Sequence, residues 1–275
     1  MKHLNTKKEL AKFLAEDNSH RDITSQILSN KKITANIVSR QDGIVAGAKY
    51  AKEIFSLKNC SVQILRKDGL AIKKDQAVLR ISGSAKSILS CERTALNLLS
   101  RMSGIATATN LLVKQVKSVS KKTDLYSTRK TAPGLRFFDK EAVEIGGGKK
   151  HRITLADMIM IKDNHIASEG SIVELIKRAK KKAKIFEVEV DTFEDAILVA
   201  SMGVPIIMLD NFSPQMIKKT ILQLEKMGLR KNIRLEASGG INAQNIKEYA
   251  RTGVDMISVG SITNSAKAID FSLEI

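Results

Sequence analysis

The chain has 275 residues, enough for one large domain or two smaller ones, and its 43% hydrophobic content suits a globular protein with a sizeable core. Lys and Arg number 46 against 29 Asp and Glu, a net charge of +17 that suits an anionic substrate or a nucleic acid. Aromatics make up only 4% and do not interleave with the basic runs, so no nucleic-acid partner is expected: base-stacking platforms need aromatic rings.

The first residues carry no apolar run of the secretory kind. The longest apolar stretch, residues 197–209, contains Ser201, Gly203 and Pro205 and is too short for a bilayer, so no membrane partner is expected. Cys60 and Cys91 lie far apart without ligand spacing, which argues against a disulfide framework and a zinc site and for a cytoplasmic protein with reduced thiols.

In chain order, residues 4–17 have helical periodicity, with Leu10, Phe13 and Leu14 on one side. Residues 32–40 alternate as a strand, 46–57 read as a helix, and 61–65 and 77–81 as further strands broken by Asp68-Gly69 and Gly83. A helix is expected over 85–102, with Ile88, Leu89, Leu96 and Leu99 toward the core. From about Gly104 the rhythm changes. Strands at 125–128, 158–161, 185–190, 205–209, 233–237 and 256–259 alternate with helices at 106–118, 171–182, 193–201, 214–227 and 243–252. Repeated strand–helix units predict a parallel sheet that can close as a (β/α) barrel, with functional groups at the C-terminal strand ends. The basic run 177–184 falls at a helix C-terminus, where cations are favourable, and reads as a solvated face.

Five strand ends carry the candidate chemistry. Thr128 runs into Arg129 and Lys130, Ile161 into Lys162-Asp163-Asn164-His165, and Leu209 into Asp210-Asn211. Glu236-Ala237 runs into Ser238-Gly239-Gly240, and Val259 into Gly260-Ser261. The last two turns offer free backbone N–H groups of the kind that bind phosphate. In Glu187-Val188-Glu189-Val190-Asp191, period two puts the acids on one face, inward in a barrel, and the valines under the helices. Buried carboxylates need cations or a metal. Glu189 and Asp210 suit Mg²⁺, which takes oxygen ligands, or alternatively salt bridges to Lys162 or Arg129. Arg129, Lys130, His151, Arg152 and Lys162 supply more cations than one phosphate requires, and arginines suit carboxylates. His151 is equally readable as a substrate contact or as an internally satisfied histidine.

These residues resemble the signature of the quinolinate phosphoribosyltransferase family. The similarity rests on Thr128-Arg129-Lys130-Thr131-Ala132-Pro133-Gly134, Gly146-Gly147-Gly148, His151-Arg152 and Lys162-Asp163-Asn164-His165. Glu92-Arg93-Thr94-Ala95-Leu96-Asn97, Glu187-Val188-Glu189-Val190, Leu209-Asp210-Asn211 and Glu236-Ala237-Ser238-Gly239-Gly240 follow the same order along the chain. The resemblance implies a mixed α/β N-terminal domain over 1–103, to which 264–275 returns. Over 104–263 it implies an incomplete α/β barrel of the type II phosphoribosyltransferase kind.

It further implies transfer of the phosphoribosyl group of phosphoribosyl pyrophosphate to quinolinate, with Mg²⁺, giving nicotinate mononucleotide, pyrophosphate and CO₂ on the route to NAD. A homodimer, or a multiple of one, is implied. Arg129, His151, Arg152 and Lys162 would bind the pyridine carboxylates, with Arg93 reaching in from the partner subunit. Lys130 and Lys162 would lie near sugar and pyrophosphate, and Glu189 and Asp210 near the ribose hydroxyls and metal. Ser238, Gly239, Gly240, Gly260 and Ser261 would take the 5′-phosphate. The sequence departs from the family pattern at Ala132, where little effect is expected, and at Asn264, which brings no charge where a His is common.

Overall fold

A computed structural model describes residues 5–17, 21–29 and 31–275. In chain order the elements are α1 (Thr6–Glu16), α2 (Ile23–Gln26), β1 (Lys32–Ser39), β2 (Gly43–Ile44), α3 (Ala48–Ser56), β3 (Ser61–Ile64), β4 (Ala71–Ile72), β5 (Ala77–Ser84) and α4 (Ala85–Val119). Then come β6 (Asp124–Ser127), α5 (Arg136–Ile145), β7 (Met160–Ile161), α6 (Asp163–Glu169), α7 (Ile172–Lys182), β8 (Glu187–Val190) and α8 (Phe193–Ser201). The chain ends with β9 (Ile206–Asp210), α9 (Pro214–Lys226), β10 (Arg234–Ser238), α10 (Ile246–Ala250), β11 (Met256–Val259), α11 (Ser261–Asn264) and β12 (Phe271–Glu274). One compact unit takes the described residues up to Ala108 with Glu141–Gly146 and Ala266–Ile275; the other takes Thr109–Lys140 and Gly147–Ser265.

The first unit is built on an antiparallel sheet in the order β12-β1-β5-β3. Register pairs Ala35 with Ile81 and Ile37 with Leu79, and all four are fully buried. The alternation read from 32–40 therefore sets one face toward a core that also takes Ile54 and Phe55 of α3. Each such aliphatic side chain contributes roughly 1.5–3 kcal/mol on burial.

The second unit holds six parallel strands in the order β6-β11-β10-β9-β8-β7. Among the described residues β6 and β7 do not pair with each other, so the barrel is incomplete. Val188, Ile207, Leu209, Leu235, Ala237 and Ile257 point outward and are fully buried, together with apolar residues of the helices such as Ile176, Val199, Ile217 and Ile246. The alternate registers Glu236↔Met208↔Glu189 and Ser238↔Asp210 point inward instead. Helix starts are locally encoded: Ser171, Thr192 and Ser213 each accept a backbone N–H in the first turn, and Pro214 follows as the first helical residue of α9. Lys180, Lys181 and Lys182 fill the last turn of α7 and are exposed. Among the described residues no helix is long and apolar enough to cross a membrane.

The sequence reading differs in a few elements. Residues 85–119 form one helix rather than two, and Gly104 is not a helix end. A Cβ there would meet the Lys267 carbonyl oxygen at 2.3 Å, so the glycine serves close backbone packing inside the helix. Helices α5 and α6 went unread, and the expected strand 158–161 contracts to Met160–Ile161. Leu4, at the start of the first predicted helix, lies outside the described residues.

Candidate active site

Inward-facing residues of the parallel strands, together with the segments that follow β6 and precede β7, surround a cavity of about 380 Å³. Thr128, Arg129, Lys130, His151, Arg152, Met160, Lys162, Glu189, Met208, Asp210, Glu236, Ser238 and Ser258 line it. Eight of the expected site residues thus meet in one place. A second cavity of about 480 Å³ shares Glu189 and Asp210 and adds Asp163, Asp191, Asp195 and Asn211. Asp191 itself is exposed beyond the end of β8, so only Glu187 and Glu189 of the expected acidic face point into the barrel.

The segment after β6 is held from below. The Thr263 hydroxyl donates to the Lys130 carbonyl at 2.7 Å, and the Lys130 amide donates to Thr128 Oγ1 at 3.1 Å. A Cβ on Gly260 would lie 3.0 Å from Lys130 Cδ, so this glycine leaves room for the lysine stem. Gly260 packs against Lys130, and Ser261 opens α11 directly after it. Arg129 Nε is buried with no hydrogen-bond partner. Burial and the Arg129 charge lower the basicity of the Arg152 guanidinium, which donates to the Met158 carbonyl at 3.2 Å. Two arginines that repel each other across a cavity are a receptor for anions.

On the opposite wall Lys162 is ion-paired to Glu189, the salt-bridge alternative foreseen for that carboxylate. Asp210 accepts from Asn211 Nδ2 at 2.7 Å, and the Asn211 amide donates to the Ser238 carbonyl at 2.9 Å. Gly239 and Gly240 follow with φ of +90° and +63°, values that glycine adopts without strain. Arg93 lies on α4 in the first unit and is exposed.

The floor of the cavity carries a group the sequence only half disclosed. His151 Nε2 lies 3.2 Å from Glu187 and 3.3 Å from Glu236, both fully buried. Burial opposes a charge on His151, but the bonds and charges of the two glutamates outweigh it and push its pKa up to about 9. Burial and the Glu236 charge raise Glu187 to about 7, against the pull of His151. The Arg152 amide donates to His151 Nδ1 at 2.7 Å. Nδ1 accepts this bond only in the neutral imidazole, whose proton is then on Nε2 toward the carboxylates; the imidazolium that the glutamates favour gives the bond up. The three donor atoms lie within 4.8 Å of one another, and a proton on Nε2 competes with any metal for them. His151 is thus both a cavity-lining residue and an internally partnered one. Glu236 was visible in the sequence as an inward strand position two before Ser238 and was not singled out.

Family models for the C-terminal and N-terminal domains of quinolinate phosphoribosyl transferase match residues 105–274 and 22–103. The chain belongs to the quinolinate phosphoribosyltransferase family. A relative from Archaeoglobus fulgidus, a probable nicotinate-nucleotide pyrophosphorylase (carboxylating), is 45% identical over 92% of this chain and 98% of its own. The rat nicotinate-nucleotide pyrophosphorylase (carboxylating) is 33% identical over 96% of this chain and 88% of its own. The solved nicotinate-nucleotide pyrophosphorylase of Ehrlichia chaffeensis superposes with a TM-score of 0.92 at 37% identity, covering 100% of this chain and 99% of that one. For a quinolinate phosphoribosyltransferase family member, the charges of Arg129 and Arg152 suit carboxylates, and Lys162 joins them from the wall that carries Glu189.

Proposed function

We propose that the chain transfers the phosphoribosyl group of phosphoribosyl pyrophosphate to quinolinate, with decarboxylation, to give nicotinate mononucleotide, pyrophosphate and CO₂. The observation that carries this reading is the one cavity in which Arg129, Lys130, Arg152 and Lys162 converge with Glu189 and Asp210. The arginines take the two pyridine carboxylates as bidentate acceptors. The ring nitrogen attacks the sugar carbon as pyrophosphate leaves, and Glu189 and Asp210 stabilise the cationic sugar. Lys130, exposed at the mouth, meets the departing pyrophosphate. Once the ring nitrogen is positively charged, the adjacent carboxylate leaves as CO₂, the electron pair stays on the ring carbon, and a proton replaces it. No covalent enzyme intermediate is required. Ser238, Gly239, Gly240 and the Gly260-Ser261 turn serve the 5′-phosphate.

Glu189 and Asp210 offer carboxylate oxygens, the donors Mg²⁺ takes, and border an acidic second cavity, so the residues fit that ion. Asp210, with Glu189 directly or through water, would hold it. Bound there, Mg²⁺ supplies neutralising charge to the pyrophosphate.

The test is direct. Purified protein is incubated with quinolinate, phosphoribosyl pyrophosphate and Mg²⁺, with nicotinate in parallel. Nicotinate mononucleotide and CO₂ from quinolinate alone is the expected result; product from nicotinate alone, or none, moves the activity to a different ring. We further propose a homodimer in which the exposed Arg93 serves the partner's site. Mixing inactive Arg93→Ala and Lys162→Ala variants should then restore activity through hybrid dimers. No recovery after proven subunit exchange excludes the shared site.

A further inference from the structure

Lys140 is buried to 1% exposure in a helix the sequence did not disclose, and nothing in the proposed chemistry uses it. Its ammonium converges on three backbone carbonyls: Ser127 at 3.5 Å, Arg152 at 3.4 Å, and Lys150, which is closer still. Ser127 ends β6, two residues before Arg129. Lys150 and Arg152 flank His151, whose φ of +50° is a left-handed conformation that side chains with a Cβ avoid. The lysine collects both carbonyls that flank this strained residue. The surroundings do not favour a cation there for its own sake. Burial, then the charges of Arg136 on the same helix, Arg129 after β6 and Arg152, lower its pKa to about 8, and Glu236 on β10 acts the other way.

We propose that Lys140 is a positioning residue for the pyridine side of the site: its ammonium clamps the backbone at Ser127, Lys150 and Arg152 and so aims Arg129, His151 and Arg152 at the substrate's carboxylates. The phosphoribosyl side, with Glu189, Asp210 and Gly239, hangs on other strands and does not depend on it. The ammonium is also a positive charge behind these groups, and a bound dianion gains from it only while it keeps its proton. Binding of the pyridine dicarboxylate therefore falls as pH rises through about 8.

This deepens the proposed activity and rests on it for the choice of ligand. Lys140→Met and Lys140→Arg are made in the full chain and assayed at steady state. Lys140→Met should raise KM for quinolinate about 10- to 100-fold, leave KM for phosphoribosyl pyrophosphate within about twofold, and flatten the alkaline limb near pH 8. Lys140→Arg, which keeps the charge, should recover most of the affinity and move that limb upward. Equal rises in both KM values, or an arginine variant no better than methionine, would overturn the proposal. A second measurement uses the wild-type protein and no substrate. Hydrogen exchange of peptides covering residues 149–153, corrected for intrinsic base catalysis, should slow above pH 8, because opening the clamp returns Lys140 to water and takes up a proton, while exchange of β10 does not change. Unchanged protection there overturns the clamp whether or not the variants fold. A wild-type protein inactive on quinolinate but with the expected exchange would instead remove the reaction and keep Lys140's role.

Discussion

On the floor of the cavity His151 sits between two fully buried glutamates, whereas at the rim Lys162 pairs with a Glu189 that is 14% exposed and Lys130 stands in water. Both regions oppose cations to carboxylates, but in different surroundings. The floor is dry, so removing one partner strands the others in low dielectric at about 3–5 kcal/mol. The rim is wet, so its pairs exchange with an incoming charged ligand at little cost. Floor charges set shape and rim charges do chemistry. That division predicts that floor substitutions register first as stability and rim substitutions first as turnover.

The largest effect is expected at the rim. Lys130→Ala removes the exposed cation assigned to the leaving pyrophosphate while Thr128, Gly260 and Thr263 keep the backbone in place. kcat should fall about 10²- to 10³-fold, with the urea midpoint unchanged. Full turnover at saturating substrate would remove Lys130 from the mechanism and leave the rim to Lys162.

The floor should answer differently. The pKa of His151 is raised from its usual 6.5 to about 9, so its stabilisation is full below pH 6.5 and is lost as pH rises through 9. Glu187, raised from 4.5 to about 7, acts in the same direction, losing stability as pH rises between those values. Lys140, lowered to about 8, opposes the trend only above that pH. The window to read is therefore pH 6.5 to 8. Wild-type stability in urea should decline across it. His151→Asn should begin about 3 kcal/mol lower at pH 6.5, with the buried glutamates left without their partner, and show a flatter decline. Parallel slopes would mean that the histidine proton is not the source.

The rim was more legible than the floor, for a physical reason. Rim residues sit at strand ends where period-two strands meet polar turns, so Arg129, Lys162, Asp210 and Ser238 announce themselves as breaks in pattern. Glu187 is visible because an acid in an apolar strand is anomalous, and Glu236 faces the same way from β10, two strands away across β9. Lys140 gave no signal: it lies on α5, amphipathic over only ten residues, and a buried lysine reads from sequence like an exposed one. Gly104 shows the converse, a glycine that reads as a boundary while the helix runs through it to admit a passing backbone.

The finest probe of the rim is its support at Gly239. An added Cβ would lie 2.1 Å from Asn211 Oδ1 and 2.7 Å from the Asn211 nitrogen, at a φ of +90°. Asn211 is itself left-handed, at +56°, and its amide nitrogen orients Asp210, so it has little freedom to retreat. Gly239→Ala should therefore cost about 1–2 kcal/mol of stability through backbone strain. It should also displace Asn211 from Asp210 and raise KM for phosphoribosyl pyrophosphate while KM for quinolinate holds. If both constants rise together, the two walls of the cavity are mechanically one body, and the separation of a pyridine side from a phosphoribosyl side fails at this position. If neither rises, Asp210 is oriented by its strand alone and Asn211 is only a turn residue.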